Sequence, residues 1–396
     1  MNKKILYVAR EFPSYARKSL LLNLPENLRI INKSKNSPIK LHEKNLSKIK
    51  FSEILKIIVM KFFDFFNLPL IKILIPNKNQ YFDYYLEDFV LPLTNKKVIF
   101  YQIENVGDFV EFDFKKLNSR LCLYFIKTFL LSKRCKYIFC MTEAGKTTCL
   151  RMLNIPKRKH YKFQVIYPTM EPVKSREKKD KGEIQLLFIA NINKLDLDYN
   201  FYMKGGKLAL QAYQRLKSKY KNLVMVYKGY IPPKYKKEFD NLTDVKYFSH
   251  LSYDELFKLY ESSDIFIFPT YGDTLGFTFI EAMAHGLPII TIDNNFANNE
   301  LIINEKTGFT VKTSLKFLKY PHMKIYPDWI AKKLWYKNLQ KEDDVVGLKN
   351  LVEKLEILIK SKELREKFGE NGRRRLVDGD LSIARRNKIL NNLFKN

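Results

Sequence analysis

The stretch FPTYGDTLGFTFIEAMAHGLPIITID, Phe268–Asp293, decides the fold. Its apolar opening reads as the end of a strand closing at Pro269. A polar turn with Gly272, Asp273 and Thr274 follows, and a helix is predicted from near Leu275 to about His285. Such a turn is a ready anion site, because the backbone N–H groups of Leu275, Gly276 and Phe277 would lack helical partners and the helix dipole favours negative charge. Gly276 would let backbone approach a ligand closely. Asp273 and Glu281 lie eight residues apart, so at about 1.5 Å per residue they stand roughly 10 to 12 Å from each other. The same residues also fit a plain helix start, with Asp273 or Thr274 as N-cap and Glu281 solvated.

Short apolar runs, each followed by a loop and a helical stretch, surround this core. In the second half they are Ile184–Ala190, Leu223–Tyr227, Val245–Phe248, Ile265–Pro269, Pro288–Ile292 and Phe309–Val311. In the first half they are Ile5–Ala9, Val98–Ile103, Tyr137–Met141 and Gln164–Tyr167. Strands and helices alternating at this spacing predict an α/β chain with a doubly wound parallel sheet in each half. PTMEPVKSREKKDKGE, Pro168–Glu183, has prolines, a charge run and no periodicity, and reads as a linker. The expected organisation is a first domain over 1–170, a linker over 171–183, a second domain over 184–375, and a C-terminal helix over 376–396 that packs back on the first domain. Helical spacing also runs through Leu348–Gly369 and Leu381–Phe394.

A length of 396 residues suits two domains, and 46% apolar residues with 14% aromatics argues against disorder. The net charge of +29 predicts attraction to something anionic: phosphorylated small molecules, an acidic membrane face or nucleic acid. No nucleic-acid-binding signature accompanies it, so nucleic acid is not an expected partner. Cys122, Cys135, Cys140 and Cys149 match no zinc pattern and read as reduced core thiols. No run of eighteen apolar residues occurs, and MNKKILYVAREF reads as a first strand and not a signal peptide, so a cytoplasmic protein is expected. Phe51–Pro76 interleaves lysines with large apolar residues, as an interfacial helix or a buried face would.

Three further pieces accompany the central stretch: LLFIAN followed by KGG at Lys204–Gly206, then VKYFSHLSYDELFKLYESSDIFIFPT, then KFGENGRRRL. Together with DTLGFTFIE, AMAHGLPII and NELIINEKTGFTV they resemble the family-four retaining glycosyltransferases of the GT-B fold (glycosyl transferases group 1). The resemblance is close from about Ile184 onward and loose before it. It implies two Rossmann-like domains facing across a cleft, and transfer of a sugar from a UDP-sugar or GDP-sugar with retention, in cell-envelope or polysaccharide synthesis. It implies no metal and no cofactor beyond this donor substrate. Lys204 would neutralise the donor diphosphate and Asp273 would hold the donor sugar. Glu281 would hold the ribose, and Ser249 and His250 would lie beside the base. Thr274, Leu275, Gly276, Phe277 and Gly205 would complete the donor site. The acceptor would be a glycan, a lipid-linked glycan or another hydroxyl, met at an anionic membrane surface on the inner face.

Departures from the family pattern are local. Asp273 stands where that family usually has Glu, one methylene longer. The arginine that usually precedes the lysine is missing from FIANINKLDLDYNFYMKGG, where Lys194 is the substitute on offer. AREFPSYARK lacks the usual glycine pair, and Arg10 is the residue placed to approach the phosphates. FYQIENVGDF offers Glu104 where many relatives have a histidine, and Glu104 reads as a buried structural carboxylate. TEAGKTTC, Thr142–Cys149, lacks the first glycine of a phosphate loop and reads as a helix cap. Asp196 and Asp198 form a short D-x-D that chance also supplies. A sugar-nucleotide epimerase on the same fold, or a non-catalytic binding scaffold, are the competing readings.

Overall fold

In the computed structural model the described residues are 4–8, 23–32, 62, 65–69, 71–73, 81–88, 90–110, 113, 116–173, 182–190, 197–242, 244–272, 275–294, 297–314 and 344–395. The chain divides into two compact units, one built mainly from Met1–Pro168 and the other mainly from Thr169–Met323 and Ile330–Arg385. Residues Arg386–Asn396 belong to the first unit.

The first unit holds a six-stranded sheet of β1 (Lys4–Val8), β2 (Leu28–Asn32), β4 (Tyr84–Glu87), β6 (Lys97–Ile103), β7 (Cys135–Cys140) and β8 (Phe163–Val165), in the order β2-β1-β4-β6-β7-β8. Every pairing in it is parallel. Two short strands, β3 (Ile71–Ile73) and β5 (Leu91–Leu93), pair separately. Strand β6 is buried at every position after Lys97, as expected where a parallel strand is covered on both faces. Helices α1 (Arg120–Leu131) and α2 (Glu143–Met152) flank β7. Thr142 caps α2 by accepting from the Gly145 amide at 2.9 Å, so TEAGKTTC is a helix cap. The four cysteines are free and buried, and burial pushes the thiols of Cys122 and Cys135 up to about 12. Such thiols are inert filling for the core. Phe394, beyond α11 (Ile383–Leu393), packs its ring against Tyr84 and Tyr137 of the first sheet.

The second unit repeats the plan with β9 (Ile184–Ile189), β10 (Leu223–Lys228), β11 (Val245–Phe248), β12 (Ile265–Ile267), β13 (Ile289–Ile292) and β14 (Gly308–Val311). Its order is β11-β10-β9-β12-β13-β14, again all parallel. The sheet is therefore wound outward in both directions from β9, and the switch point falls between β9 and β12. The helices between its strands are α3 (Leu197–Met203), α4 (Gly206–Lys217), α5 (Pro233–Asp240), α6 (Tyr253–Ser262), α7 (Phe277–Ala284) and α8 (Ala297–Leu301). The helical pattern beginning at Leu348 is broken at Ser361 into α9 (Val345–Lys360) and α10 (Lys362–Val377). Ser361 ends the first and caps the second by accepting from the Leu364 amide at 3.1 Å.

The start of the predicted linker is not free. Thr169 and Met170 are buried, the Val173 amide donates to Ala284 O at 3.1 Å, and Arg373 Nε donates to Val173 O at 3.2 Å. Residues 169–173 are thus fastened to the second unit. Glu104 departs from the sequence reading as well. It is half-buried, and the buried carboxylate is Asp108, which accepts from the amides of Glu104 at 2.6 Å and Asn105 at 3.1 Å. Burial first, then the charge of Glu104, pushes the Asp108 carboxyl well above its ordinary range.

Candidate functional site

All strands of the second sheet run the same way, so their C-terminal ends share one edge, where doubly wound sheets bind ligands. The Lys204–Gly205 turn, which joins α3 to α4, is pressed against the segment that follows β12. Met203 O accepts from the Tyr271 amide at 2.9 Å and from Thr270 Oγ1 at 3.2 Å. Gly205 has φ 73°, and a Cβ there would lie 2.1 Å from Pro269 O, so both its backbone conformation and the space demand glycine. This contact fixes the half-buried Lys204 beside the loop at the switch point.

That loop is anchored from behind. Thr270 O accepts from Asn294 Nδ2 and from Asn298 Nδ2, each at 3.3 Å. Tyr271 donates its hydroxyl to Asp344 Oδ2 at 3.0 Å, and Asp344 also caps α9 through the Gly347 amide at 2.8 Å. Leu275 is buried, and the chain enters α7 through Gly276, whose φ of 64° again favours glycine. The helix opens at Phe277, two residues later than the sequence suggested. Its Phe279 amide donates to Gly276 O at 2.8 Å, and among the described residues no acceptor takes the amides of Phe277 and Thr278. Gly276 offers no side-chain cap that would compete for them.

Glu281 faces inward from α7 and is only 8% exposed, not a solvated helix residue. Tyr260 of α6 donates its hydroxyl to Glu281 Oε2 at 2.8 Å, and the His285 ring stacks on Tyr260 with centroids 5.1 Å apart. Burial raises the Glu281 carboxyl to about 7, against the opposing pull of the Tyr260 hydrogen bond and the Lys228 charge. Burial and Glu281 together push the Tyr260 hydroxyl well up, so it remains a donor. Lys228 closes β10, and its Nζ donates to Ala190 O at 3.3 Å, just beyond β9. Burial lowers the Lys228 pKa and Glu281 partly restores it.

Ser249 and His250 are exposed and follow edge strand β11 on the same side of the sheet. Arg10, Lys194, Asp273 and Thr274 lie outside the described residues, as does Asp196 of the D-x-D pair. Asp198, on α3, is hydrogen-bonded to Tyr230. Among the described residues no group of three or more metal-binding side chains comes together. Sequence reasoning missed Tyr260, Lys228, Asn294 and Asn298. Tyr260 and Lys228 sit at ordinary helix and strand positions and acquire meaning only when β10, α6 and α7 are brought side by side. Asn294 and Asn298 carried a faint signal, since two asparagines in a stretch that also supplies buried apolar residues need partners.

Two parallel doubly wound units define an α/β fold of the GT-B class, and the comparisons agree. The chain is similar to WaaG, described as a glycosyltransferase involved in lipopolysaccharide biosynthesis, at 13% identity and a TM-score of 0.56, covering 99% of this chain and 100% of that one. It is similar to Anabaena HepE in complex with UDP and glucose, at 10% identity and a TM-score of 0.56, with 100% of both chains covered. It is also similar to S. aureus TarM in complex with fondaparinux, α-GlcNAc-glycerol and UDP, at 15% identity and a TM-score of 0.52. There it covers 76% of this chain and 52% of TarM, so this chain spans about half of TarM's length. At these identities the likeness shows the fold alone. Residues 171–316 match the model of the glycosyl transferases group 1 family. A comparison with curated protein sequences finds no match.

Proposed function

We propose that the protein moves a sugar from a UDP-sugar or GDP-sugar to a hydroxyl of a glycan or lipid-linked acceptor, with retention at the anomeric carbon and without a metal ion. The observation that carries this reading is the convergence of the Lys204 turn, the open amides of Phe277 and Thr278, and buried Glu281 around the switch point of one parallel sheet. The family match over 171–316 supports it, as do the UDP ligands of HepE and TarM.

In this reading the donor diphosphate rests on the amides of Phe277 and Thr278. Lys204 neutralises it, with Arg10 and Lys194 as further cations. Glu281 accepts from the ribose hydroxyls, Ser249 and His250 border the base, and Asp273, next to Thr274, holds the donor sugar. As the bond from the anomeric carbon to the diphosphate oxygen breaks, charge builds on the leaving group, and Lys204 with the helix start stabilises it. The acceptor oxygen bonds to the anomeric carbon on the same face, and its proton passes to the departing diphosphate. Preorganised electrostatics of this kind substitutes for a bound metal.

The acceptor belongs to cell-envelope or polysaccharide synthesis and is met at the inner face of a membrane. No helix among the described residues is long and apolar enough to cross a bilayer. Surface attachment is supported by the net charge of +29 and by exposed Phe62, Phe65 and Phe66 within the Phe51–Pro76 segment. Most of that segment lies outside the described residues. Titration calorimetry with UDP and GDP tests the donor site, and binding to one of the two is expected. Binding to neither sinks the reading, and binding without product from any acceptor indicates a scaffold.

A further inference from the structure

Three aromatic rings stack outward across the second sheet. Phe188 of β9 and Tyr227 of β10 are buried with centroids 4.6 Å apart, and Tyr227 meets Tyr247 of β11 at 6.2 Å with the ring planes 29° apart. The first two rings belong to the core. Tyr247 is 46% exposed and stands one residue before the end of β11, the strand at the edge of the sheet. A ring at the open end of such a stack is a platform on which a flat ring of another molecule can lie.

A carboxylate is held beside this platform. Tyr230, two residues past Lys228 in the loop that leaves β10, lies within electrostatic reach of Tyr247 and donates its hydroxyl to Asp198 near the start of α3. The Tyr227 hydroxyl donates to Tyr230 O at 3.4 Å, which fastens the same loop to the ring stack. Asp198 and Tyr230 are half-buried, and Ser249 and His250 are exposed. One sheet edge therefore carries Lys228, whose charge reaches Glu281, then the Tyr230–Asp198 pair, Tyr247, and the Ser249–His250 turn.

The chemistry of the pair selects the ring. An ionised carboxylate only accepts hydrogen bonds and has about four lone-pair sites, so the Tyr230 hydroxyl does not exhaust Asp198. Guanine offers N1–H and N2–H side by side, as a guanidinium fork offers its donors to a carboxylate. Uracil offers a single N–H set between carbonyl oxygens that a carboxylate repels. Adenine and cytosine each place an amino donor next to a ring-nitrogen acceptor, so a second bond cannot form. We propose that Asp198 reads the N1–H and N2–H edge of guanine while Tyr247 supports the ring, so that the donor is a GDP-sugar. The proposal rests on the donor-site reading above and chooses between its two bases.

Titration calorimetry of the full chain with GDP, UDP and inosine diphosphate, which is GDP without the N2 amino group, tests it. The parent should bind GDP at least about tenfold more tightly than either of the others, because each comparison removes a hydrogen bond to a charged group. Asp198→Asn should shrink both preferences to less than about threefold, mainly by weakening GDP. Tyr247→Ala should weaken GDP and inosine diphosphate alike, by roughly tenfold. Tyr230→Phe removes the tie between α3 and the β10 loop but keeps the carboxylate, so the preference for GDP should survive it.

Melting curves show whether each variant is folded. If the parent binds neither GDP nor UDP, the donor-site reading and this proposal both fail. If it binds UDP more tightly than GDP, or binds GDP and inosine diphosphate equally, the donor-site reading stands and the guanine proposal alone is overturned. A folded Asp198→Asn variant with the parent's preferences overturns it as well. So does a Tyr230→Phe variant that loses them, since Asp198 would then matter only as an anchor for α3. Should Asp198→Asn not fold, the parent's preference for GDP over inosine diphosphate decides the matter.

Discussion

The two sheets share a plan but differ in what their C-terminal edges are built to do. In the second unit the loops beyond the strands are held tightly while leaving polar groups open. Gly205 locks onto Pro269, Tyr271 onto Asp344, and no acceptor among the described residues takes the amides of Phe277 and Thr278. In the first unit the corresponding edge turns inward: Asp108 accepts from two amides just beyond β6, and Glu87 at the end of β4 accepts from the Tyr85 hydroxyl at 3.0 Å and the Asp88 amide at 3.1 Å. Equal folds therefore do not imply equal sites. A rigid loop serves a ligand only where its polar groups are not already spent on the protein itself.

The sharpest way to break this contrast is to remove the one cation that the second edge holds in its KGG turn. Lys204→Ala should lower kcat by roughly 10²- to 10³-fold while changing UDP affinity far less, because the charge matters most as the diphosphate departs. Equal loss in a variant of the first edge, such as Glu104→Gln, would erase the distinction. Next in size is Gly205→Ala. Its left-handed backbone and the Pro269 carbonyl both oppose a methyl group, so a loss of about 1–3 kcal/mol from backbone strain alone is expected, read as a lower melting temperature with reduced activity. An unchanged melting temperature would mean that the turn and the loop are not braced against each other.

The same contrast sets what the sequence could reveal. All six strands of the second sheet were legible because each is a short run of bulky apolar residues between turn residues. In the first sheet β2 (LRIIN) and β4 (YYLE) were missed, since each carries a charged residue and β4 buries Glu87 by giving it hydrogen-bond partners. Periodicity cannot register a charge satisfied from elsewhere. Lys204, Gly205, Gly276 and Glu281 stand out as candidates by their motifs, whereas the burial of Glu281 is not legible there. Its environment is made by Tyr260, 21 residues away in sequence, and by the charge of Lys228 on another strand.

That burial gives the second edge a pH dependence that the first should not share in donor binding. Glu281 is raised from 4.5 to about 7, so in the ligand-free protein it is largely protonated at pH 6 and largely ionised at pH 8. Its protonated form stabilises the fold, a contribution fully present below about pH 4.5 and lost as pH rises through about 7. In the proposed donor pose the ribose hydroxyls donate to the ionised form, so UDP affinity should rise as pH increases from 6 to 8, by up to about tenfold. Calorimetry at pH 7 in two buffers of different ionisation enthalpy should register proton release on binding. Glu281→Gln should weaken binding and flatten its pH profile, and a profile unchanged by that substitution would remove Glu281 from the donor site.

The smallest effect tests how the environment of Glu281 is composed. Tyr260 donates to the carboxylate at 2.8 Å and lowers its pKa, working against burial. In Tyr260→Phe the ring that stacks on His285 remains, but the donated proton is gone. The carboxylate then loses its nearest stabiliser while staying buried, so the midpoint of the UDP-binding profile should move upward, by about one pH unit for a hydrogen bond to a charged group worth about 1.5 kcal/mol. The sign is diagnostic. If Tyr260 served only to fill space, the midpoint would stay put, whereas a downward shift would mean that water reaches Glu281 once the hydroxyl is removed and that burial, not the hydrogen bond, is what α6 maintains.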